Sequence, residues 1–330
     1  MVNDSDNGRA MDRRQWLTRL AKAGGAIGLL WAAGFWLGRR GDGPAVSATP
    51  SFRFPVCSIP GMAGKLVAVT GGNRAEALEK ALAALGGIES FIHPADRVLL
   101  KVNAAFASPP LIGATTHPEL VAELIRLCRK AGAGEVLVAD NPINDPTSCF
   151  ALTGIEGAAR KAGGTVVMPG PRDFKPLSLQ DGRCIDGWPV FCRPFNNINK
   201  IIGLAPLKDH FRSGASMTMK NWYGLLGGRR NVLHQDIHRT IMELSRMVTP
   251  TFVILDGTVA LMQNGPTGGS LSDLKQTGTL IVGTDQVAVD ALGAGLLEKD
   301  LQTLGFIRQA EAAGSGTADY RSLNPVFISL

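Results

Sequence analysis

Short apolar segments alternate with helical segments along most of this chain. Residues 65–70, 97–102 and 135–139 are rich in Val, Leu and Ala, and helical segments predicted at 74–85 and 118–131 separate them. The second apolar segment is nearly continuous, which is typical of a strand buried on both faces. Strand–helix–strand order predicts a parallel sheet with right-handed crossovers. We therefore predict an α/β fold, in which a mainly parallel twisted sheet is flanked by helices.

The predicted sheet is interrupted once. Residues 172–194 contain Asp186-Gly187, a dipeptide typical of tight hairpins, so we expect a small antiparallel excursion there. Further strands are predicted at 196–205, 251–256 and 279–283, with helices at 152–162, 235–247, 285–297 and 301–313 and a last strand at 326–329. Asp285 is expected near the N-cap of the helix at 285–297. Of the 330 residues, 45% are hydrophobic and 19% charged, which is ordinary globular composition. We predict a single α/β domain over residues 63–330, preceded by a linker over residues 49–62.

The first 48 residues have a different character. Arg13-Arg14 precedes an apolar run at 23–38, and 46–48 is a plausible small-residue cleavage site. This pattern resembles a twin-arginine export signal. The alternative is an uncleaved membrane anchor, although the run is shorter than the roughly 20 residues that span a bilayer. We expect the twin-arginine export machinery to deliver a folded protein to the periplasm or another extracytoplasmic compartment, anchored to the membrane if the signal is retained.

Charge and cysteine content exclude some functions. Residues 1–48 carry seven basic and four acidic side chains, which is half of the net charge of +6. Because no basic helix or aromatic-basic patch stands out in the remainder, a nucleic-acid partner is not expected. The five cysteines form no C-x-x-C pair, so neither an iron–sulfur cluster nor a structural zinc site is predicted.

Residues 208–238 contain more side chains that could bind a ligand or transfer a proton than any other part of the chain. An apolar strand at 200–205 leads into this stretch, and open α/β sheets usually bind ligands at the mouths of such strands. We predict His210, His234 and Lys220 as catalytic residues. A histidine titrates near neutral pH, and a desolvated lysine can act as a base. The alternative for Lys220 is a solvated lysine on a helix.

The predicted ligand-binding residues are polar side chains near strand ends or within this stretch. They are Lys101, Asn103, Thr116, Asp140, Lys208 and Asn221. Lysine offers a point charge to a carboxylate or phosphate, so we expect a small anionic ligand. Asp140 could instead form a turn before Asn-Pro, and Thr116 or its neighbour Thr115 could cap the helix that follows.

The pattern H-x-D-x-H at 234–238 raises the possibility of a divalent metal. His234 and His238 would share one face of a helix, and distant carboxylates could complete a site. The predicted metal ligands are His234, His238, Asp256 and Asp290. The alternative is that His238 simply faces solvent. The glutamate of the H-E-x-x-H metalloprotease motif is missing after His234.

Several short motifs occur together in a characteristic order. They are Lys-Val-Asn at 101–103, Thr-Thr-His-Pro at 115–118, Thr-Met-Lys-Asn at 218–221, Asn-Gly-Pro at 264–266 and Asp285 with Val-Ala-Val-Asp-Ala at 287–291. With these motifs, residues 65–300 resemble the domain-of-unknown-function 362 family. The resemblance implies a globular α/β domain. Some relatives carry ferredoxin-like cluster-binding modules, and the chain departs from them because it has no cysteine-rich module.

These patterns lead to two functional hypotheses. The first is an exported enzyme-like protein that binds a small anionic ligand, with or without a divalent metal. The alternative is a non-catalytic accessory or binding protein with a redox partner protein exported by the same route. The residue patterns do not name the reaction, so whether the protein is an enzyme stays open at this point.

Overall fold

The computed structural model describes residues 52–330. Twelve strands are formed within this range: β1 (Leu66–Thr70), β2 (Arg97–Lys101), β3 (Glu135–Ala139), β4 (Thr165–Val167), β5 (Phe174–Leu177), β6 (Trp188–Phe191), β7 (Lys200–His210), β8 (Gly214–Ser216), β9 (Phe252–Leu261), β10 (Leu274–Lys275), β11 (Thr279–Gly283) and β12 (Val326–Ser329). The α-helices of the same range are α1 (Arg74–Ala84), α2 (Pro118–Lys130), α3 (Pro146–Leu152), α4 (Ile155–Lys161), α5 (Thr218–Asn221), α6 (Ile237–Met247), α7 (Gln286–Leu296) and α8 (Gly305–Ala312).

Ten strands form one mixed sheet with the order β12-β1-β11-β9-β7-β2-β3-β4 and with β8 and β10 added to β7 and β9. The run from β9 to β4 is parallel, whereas β11 is antiparallel to both of its neighbours. The predicted α/β class with a mostly parallel sheet is therefore confirmed. The first strand does not lie beside the second, however, because β11, β9 and β7 separate them.

The antiparallel excursion is also confirmed, as β5 and β6 form a separate two-stranded sheet. Its connection is longer than the predicted Asp186-Gly187 turn, since residues 178–187 lie between the strands. The carboxylate of Glu243 accepts hydrogen bonds from the backbone N–H groups of Arg183, Cys184 and Ile185, at 2.8 to 3.2 Å. A buried carboxylate on a distant helix thus holds this loop, which no local turn pattern indicates.

Two boundaries differ from the predictions for simple backbone reasons. The helix predicted at 152–162 begins later, as α4 at Ile155, because Gly154 before it adopts a left-handed conformation with φ of 73°. The preceding helix α3, which ends at Leu152, was not predicted. The strand predicted to end at residue 205 continues to His210 as β7. In contrast, Asp285 caps α7 as expected, and its Oδ1 accepts from the N–H groups of Val287 and Ala288.

Helices cover both faces of the sheet, so its central strands are buried on both sides. Along β7, Ile202 and Leu204 pack into one apolar core, while Ile201, Ala205 and Leu207 pack into the other. Burying one such Leu or Ile side chain contributes about 1.5–3 kcal/mol. This double burial makes β7 a rigid support for the polar residues at its far end.

The described part of the expected linker packs against the domain. Phe54 and Cys57 are buried, and the Phe54 ring lies 4.5 Å from that of Phe195 in an edge-to-face contact. Val56 forms an isolated bridge with Thr249. Residues 52–62 are therefore part of the folded unit, in contrast to the predicted linker. The predicted export signal lies outside the described residues.

No helix within residues 52–330 combines the length and apolar composition that crossing a membrane requires.

Candidate functional site

A cavity of about 230 Å³ opens where β2 and β3 end and where β7 runs past them. Seven of the residues predicted from the sequence line it together: Asn103, Asp140, Lys208, His210, Lys220, Asn221 and His234. The carboxyl ends of neighbouring parallel strands meet at one edge of a sheet, which explains why side chains so distant in sequence converge.

A buried ion pair forms the floor of the cavity. Nζ of Lys101, at the end of β2, lies 2.7 Å from Oδ1 of Asp140, just after β3. The same nitrogen donates to the backbone carbonyl of Val102 at 2.6 Å, and Oδ2 of Asp140 accepts from the Ala104 N–H at 2.7 Å. Burial lowers the pKa of Lys101, and the charge of Asp140 opposes that change. The Asp140 carboxylate is therefore already engaged beneath the cavity.

Lys208 extends from β7 into one side of the cavity. Its buried Nζ donates to the backbone carbonyls of Ala114 and Pro266, and it lies 5.2 Å from the centre of the Phe106 ring. Burial first, and then the nearby Lys220 ammonium, lower the pKa of Lys208 to about 7. The two carbonyl contacts offset part of the desolvation cost and favour the ammonium form.

Lys220 reaches the cavity from the short helix α5. Asp290 of α7 holds the start of this helix, because its carboxylate accepts from the N–H groups of Thr218 and Met219 at 2.8 and 3.1 Å. The side chain of Asn221 ties the other end to β2 and β7 through the carbonyls of Lys101 and Leu204. Asn221 and Asp290 are thus positioning residues for the helix that carries Lys220.

The two histidines lie side by side, with ring centres 5.9 Å apart and nearly parallel planes. Nδ1 of His210 accepts from the backbone N–H groups of Arg212 and Ser213, so the neutral ring carries its proton on Nε2. Burial, and then Lys220 and Lys208, lower the pKa of His210 to about 2. His210 is therefore a neutral hydrogen-bond donor at ordinary pH.

His234 has the opposite tautomer. The hydroxyl of Tyr223 donates to the carbonyl of Arg230 and lies 2.9 Å from Nδ1 of His234. Because the hydroxyl donates its only proton to the carbonyl, it must accept a hydrogen bond from the N–H at Nδ1 of His234. The proton of the neutral ring is therefore on Nδ1, and Nε2 carries a free lone pair. Burial, and then Lys220, lower the pKa of His234 to about 4. A neutral donor and a neutral acceptor therefore stand together on one wall.

Three further residues of the site, Arg230, Tyr223 and Gly224, were not among the predicted site residues. Arg230 donates to the carbonyls of Leu226 and Pro142 at 3.1 and 2.9 Å, which fixes its guanidinium at the cavity wall. Together with Tyr223 it also lines an adjoining hollow of about 370 Å³. The only sequence signal was their place within residues 208–238, since an isolated Arg or Tyr carries no spacing pattern.

Gly224 is the third, and its role is steric. A Cβ atom built there would lie 2.0 Å from Oδ1 of Asp140 and 2.8 Å from Nζ of Lys101. Contacts under 3.0 Å force a shift of the neighbours. The glycine therefore permits the chain to pass directly over the buried ion pair.

Thr116 lies beneath the site rather than in it. Its hydroxyl donates to the carbonyl of Leu204 at 2.9 Å and accepts from the N–H of Asn103 at 2.7 Å. The residue that precedes α2 as its cap is His117, with no side-chain capping bond. Thr116 thus positions Asn103 and neither caps the helix nor faces the cavity.

The four predicted metal ligands are not brought together. Asp256 pairs with Arg74 at 2.8 Å and lines a separate cavity of about 370 Å³, which shares no lining residue with the first. Asp290 is committed to α5. His238 stacks on Phe306, and α6 begins only at Ile237, so the His234–His238 spacing does not fall on one helix. Within residues 52–330 no three His, Cys, Asp or Glu side chains are grouped to hold a metal.

The fold and the site define an α/β domain with a cationic cavity at the strand ends. The chain belongs to the family described as Domain of unknown function (DUF362), which matches residues 98–295. Thylakoid-associated protein sll1697 of Synechocystis is 27% identical over 256 residues, which is 74% of this chain and 76% of that protein. The lactate racemase apoprotein from Thermoanaerobacterium thermosaccharolyticum aligns at 12% identity with a TM-score of 0.40, over 74% of this chain and 58% of that chain.

Proposed function

We propose that this protein binds a small organic or inorganic anion in the cavity between Lys208, Lys220 and Arg230. The observation that carries the proposal is the charge balance of the site. Among the described residues that line the cavity, Asp140 is the only carboxylate, and it is paired with Lys101. Three cationic groups are left without an acidic partner at the cavity surface.

Desolvation makes it costly to keep these cationic groups in the cavity without an anion. Moving an ammonium group out of water is costly, and burial accordingly lowers the pKa values of Lys208, Lys220 and Arg230. Two opposite unit charges 4 Å apart attract by about 4 kcal/mol at an effective dielectric constant of about 20. A bound anion would offset the free-energy cost of desolvating these cations and holding them close together, whereas a neutral or cationic ligand would not.

Proton transfer is the chemistry that the site supports best. Nε2 of His210 is a donor and Nε2 of His234 is an acceptor, as deduced from the partners of their Nδ1 atoms. A ligand held between them would meet a hydrogen-bond donor and a proton acceptor on the same wall. We therefore favour an enzyme over a purely accessory protein.

The test is anion binding by isothermal titration calorimetry with the full-length protein. Phosphate, oxalate and small monocarboxylates form the ligand panel, and glycerol is the neutral comparison. Lys220→Met is expected to weaken binding of the best anion by about tenfold or more, the value of one lost charge contact of roughly 1.4 kcal/mol. Lys130→Met, at an exposed position of α2, is the matched control. Equal affinity in both variants, or no anion bound at all, would refute the proposal.

A second proposal concerns location. Arg13-Arg14 and the apolar run at 23–38 support export by the twin-arginine route. Replacement of both arginines by lysine should then retain the protein in the cytoplasm of a host that has this machinery, as seen by cell fractionation. Unchanged fractionation of that variant would contradict export by this route.

A further inference from the structure

Two buried lysines face the same cavity, and their nitrogen atoms have different surroundings. Nζ of Lys208 donates to two backbone carbonyls, those of Ala114 and Pro266. Nζ of Lys220 has neither a hydrogen bond nor an ion pair with any residue between 52 and 330, although only 9% of the residue is exposed. This nitrogen lies over the face of the Tyr223 ring, 5.2 Å from the ring centre. The Nζ amine of Lys220 is therefore free to react.

The groups that face Lys220 disfavour its charged form. Burial is the largest cause and the Arg230 guanidinium the next, and together they lower the pKa of Lys220 to about 7. Lys208 lies across the cavity, while His210 and His234 are neutral at ordinary pH. Asp140, which lines the same cavity, is paired with Lys101, and Asp290 is engaged with the start of α5. The face of the Tyr223 ring favours the ammonium form through a cation–π contact.

We propose that Nζ of Lys220 is a nucleophile that forms an imine with the carbonyl carbon of a small oxo acid. This inference rests on the proposed anion site, and it names the ligand class. The carboxylate of such a ligand would lie against Arg230 or Lys208, and its keto carbon would lie near Lys220. The cavity of about 230 Å³ suits a molecule of a few carbon atoms.

The step is balanced without a redox partner. The lone pair of neutral Nζ forms a bond to the carbonyl carbon, and the electron pair of the C=O bond moves to oxygen. His210 Nε2–H hydrogen-bonds that oxygen, and the free lone pair on His234 Nε2 receives a proton from the nitrogen. His234 returns this proton to the oxygen, which gives the hydroxyl group of a carbinolamine. The second amine proton follows the same route through His234, and the C–O bond breaks, so that the oxygen departs as water when the C=N bond forms. Amine and carbonyl therefore give imine and water.

Reductive trapping tests the proposal. The full-length protein is incubated with pyruvate and sodium cyanoborohydride near neutral pH, and the modified lysines are identified by peptide mass spectrometry. We expect label on Lys220 at a rate at least about tenfold above that of any surface lysine, because an amine with a pKa near 7 is far more often neutral at this pH. Lys208, with its two carbonyl partners, is the internal comparison and should remain unlabelled.

Variants separate this inference from anion binding. Lys220→Arg keeps a cation that cannot form an imine, so it should bind oxalate and give no cavity adduct with pyruvate. Trapping at Lys208, or equal labelling of all exposed lysines, would overturn the assignment to Lys220. If oxalate binds and pyruvate leaves no adduct, the anion site stands and the imine does not. If neither binds, both proposals fall.

Discussion

The carboxylate of Asp140 lies 2.7 Å from the ammonium of Lys101, where β2 and β3 end side by side. Both side chains are almost completely buried, at 2% and 1% exposure. An isolated charge in this position would cost several kcal/mol, so the two groups depend on each other. This pair fixes the floor of the cavity. Among residues 52–330 that line the cavity, Asp140 is the only carboxylate, and its pairing with Lys101 leaves it unable to pair with Lys208 or Lys220.

Removing one member of the pair should destabilise the fold. In Asp140→Asn the Lys101 ammonium is left buried without a counter-charge, which we expect to cost about 3–5 kcal/mol of unfolding free energy. Urea denaturation followed by circular dichroism measures the loss. The double variant with Lys101→Met should regain much of it, because no unpaired charge remains. A single variant as stable as the parent would show that the pair does not hold the floor together.

Gly224→Ala should have a similar effect for a steric reason. The new Cβ would lie 2.0 Å from Oδ1 of Asp140, so the ion pair or the chain above it must move. We expect a loss of about 1–3 kcal/mol, the usual cost of overpacking, together with weaker anion binding. Gly157→Ala is the control, since this helical position has open space around a Cβ and alanine should stabilise it by about 0.5–1 kcal/mol. Thermal melting that does not distinguish the two variants would contradict the steric argument.

Asp290 should affect ligand binding through α5. Asp290→Ala removes the acceptor of the Thr218 and Met219 N–H groups, so stability should fall by roughly 2–3 kcal/mol and the Lys220 side chain should lose its position. Asp285→Ala is the matched control, because it uncaps α7 at Val287 and Ala288 without touching α5. We expect comparable destabilisation in both variants, and weaker anion affinity only in Asp290→Ala. If calorimetry gives equal anion affinities for the two variants, Asp290 does not position Lys220.

Anion binding should weaken as the pH rises. Lys208 and Lys220 each have a pKa lowered to about 7 in the free protein, and a bound anion stabilises their ammonium forms. Affinity for oxalate is therefore flat at pH values well below 7, where both are already charged. Above pH 7 binding requires proton uptake, and affinity should fall by up to about tenfold per pH unit for each group. The affinity of Lys220→Arg for oxalate should decline less steeply with pH. An affinity of the parent protein that does not change with pH would rule out lysine titration in the site.

The two histidines should be distinguishable by NMR. Long-range ¹H–¹⁵N spectra are expected to show His210 protonated at Nε2 and His234 protonated at Nδ1, both neutral down to about pH 5, because their pKa values are lowered to about 2 and about 4. Tyr223→Phe removes the acceptor that selects the His234 tautomer and should leave His210 unchanged. The same tautomer in both rings of the parent would contradict the donor and acceptor roles.

Some of the site could be anticipated from residue patterns because strand ends are places where polar groups collect. Asn103 and Asp140 follow predicted strands directly, and Lys208 and Lys220 lie in the predicted central stretch. Tyr223 and Arg230 escaped prediction because their roles depend on contacts with carbonyls and a histidine brought in by folding. Asp256 was expected at the same site, but Arg74 of α1 pairs with it in a different cavity.

The sequence by itself determined the α/β class, most strand positions and the Asp285 cap, since hydrophobic periodicity and capping are local properties. Only the tertiary structure decided that β11, β9 and β7 lie between β1 and β2, and which charged groups meet. Strand order and ion pairing depend on contacts between residues far apart in the chain, such as Lys101 with Asp140. Local patterns carry no information on such contacts, because the same residue types are equally compatible with several partners until the sheet forms.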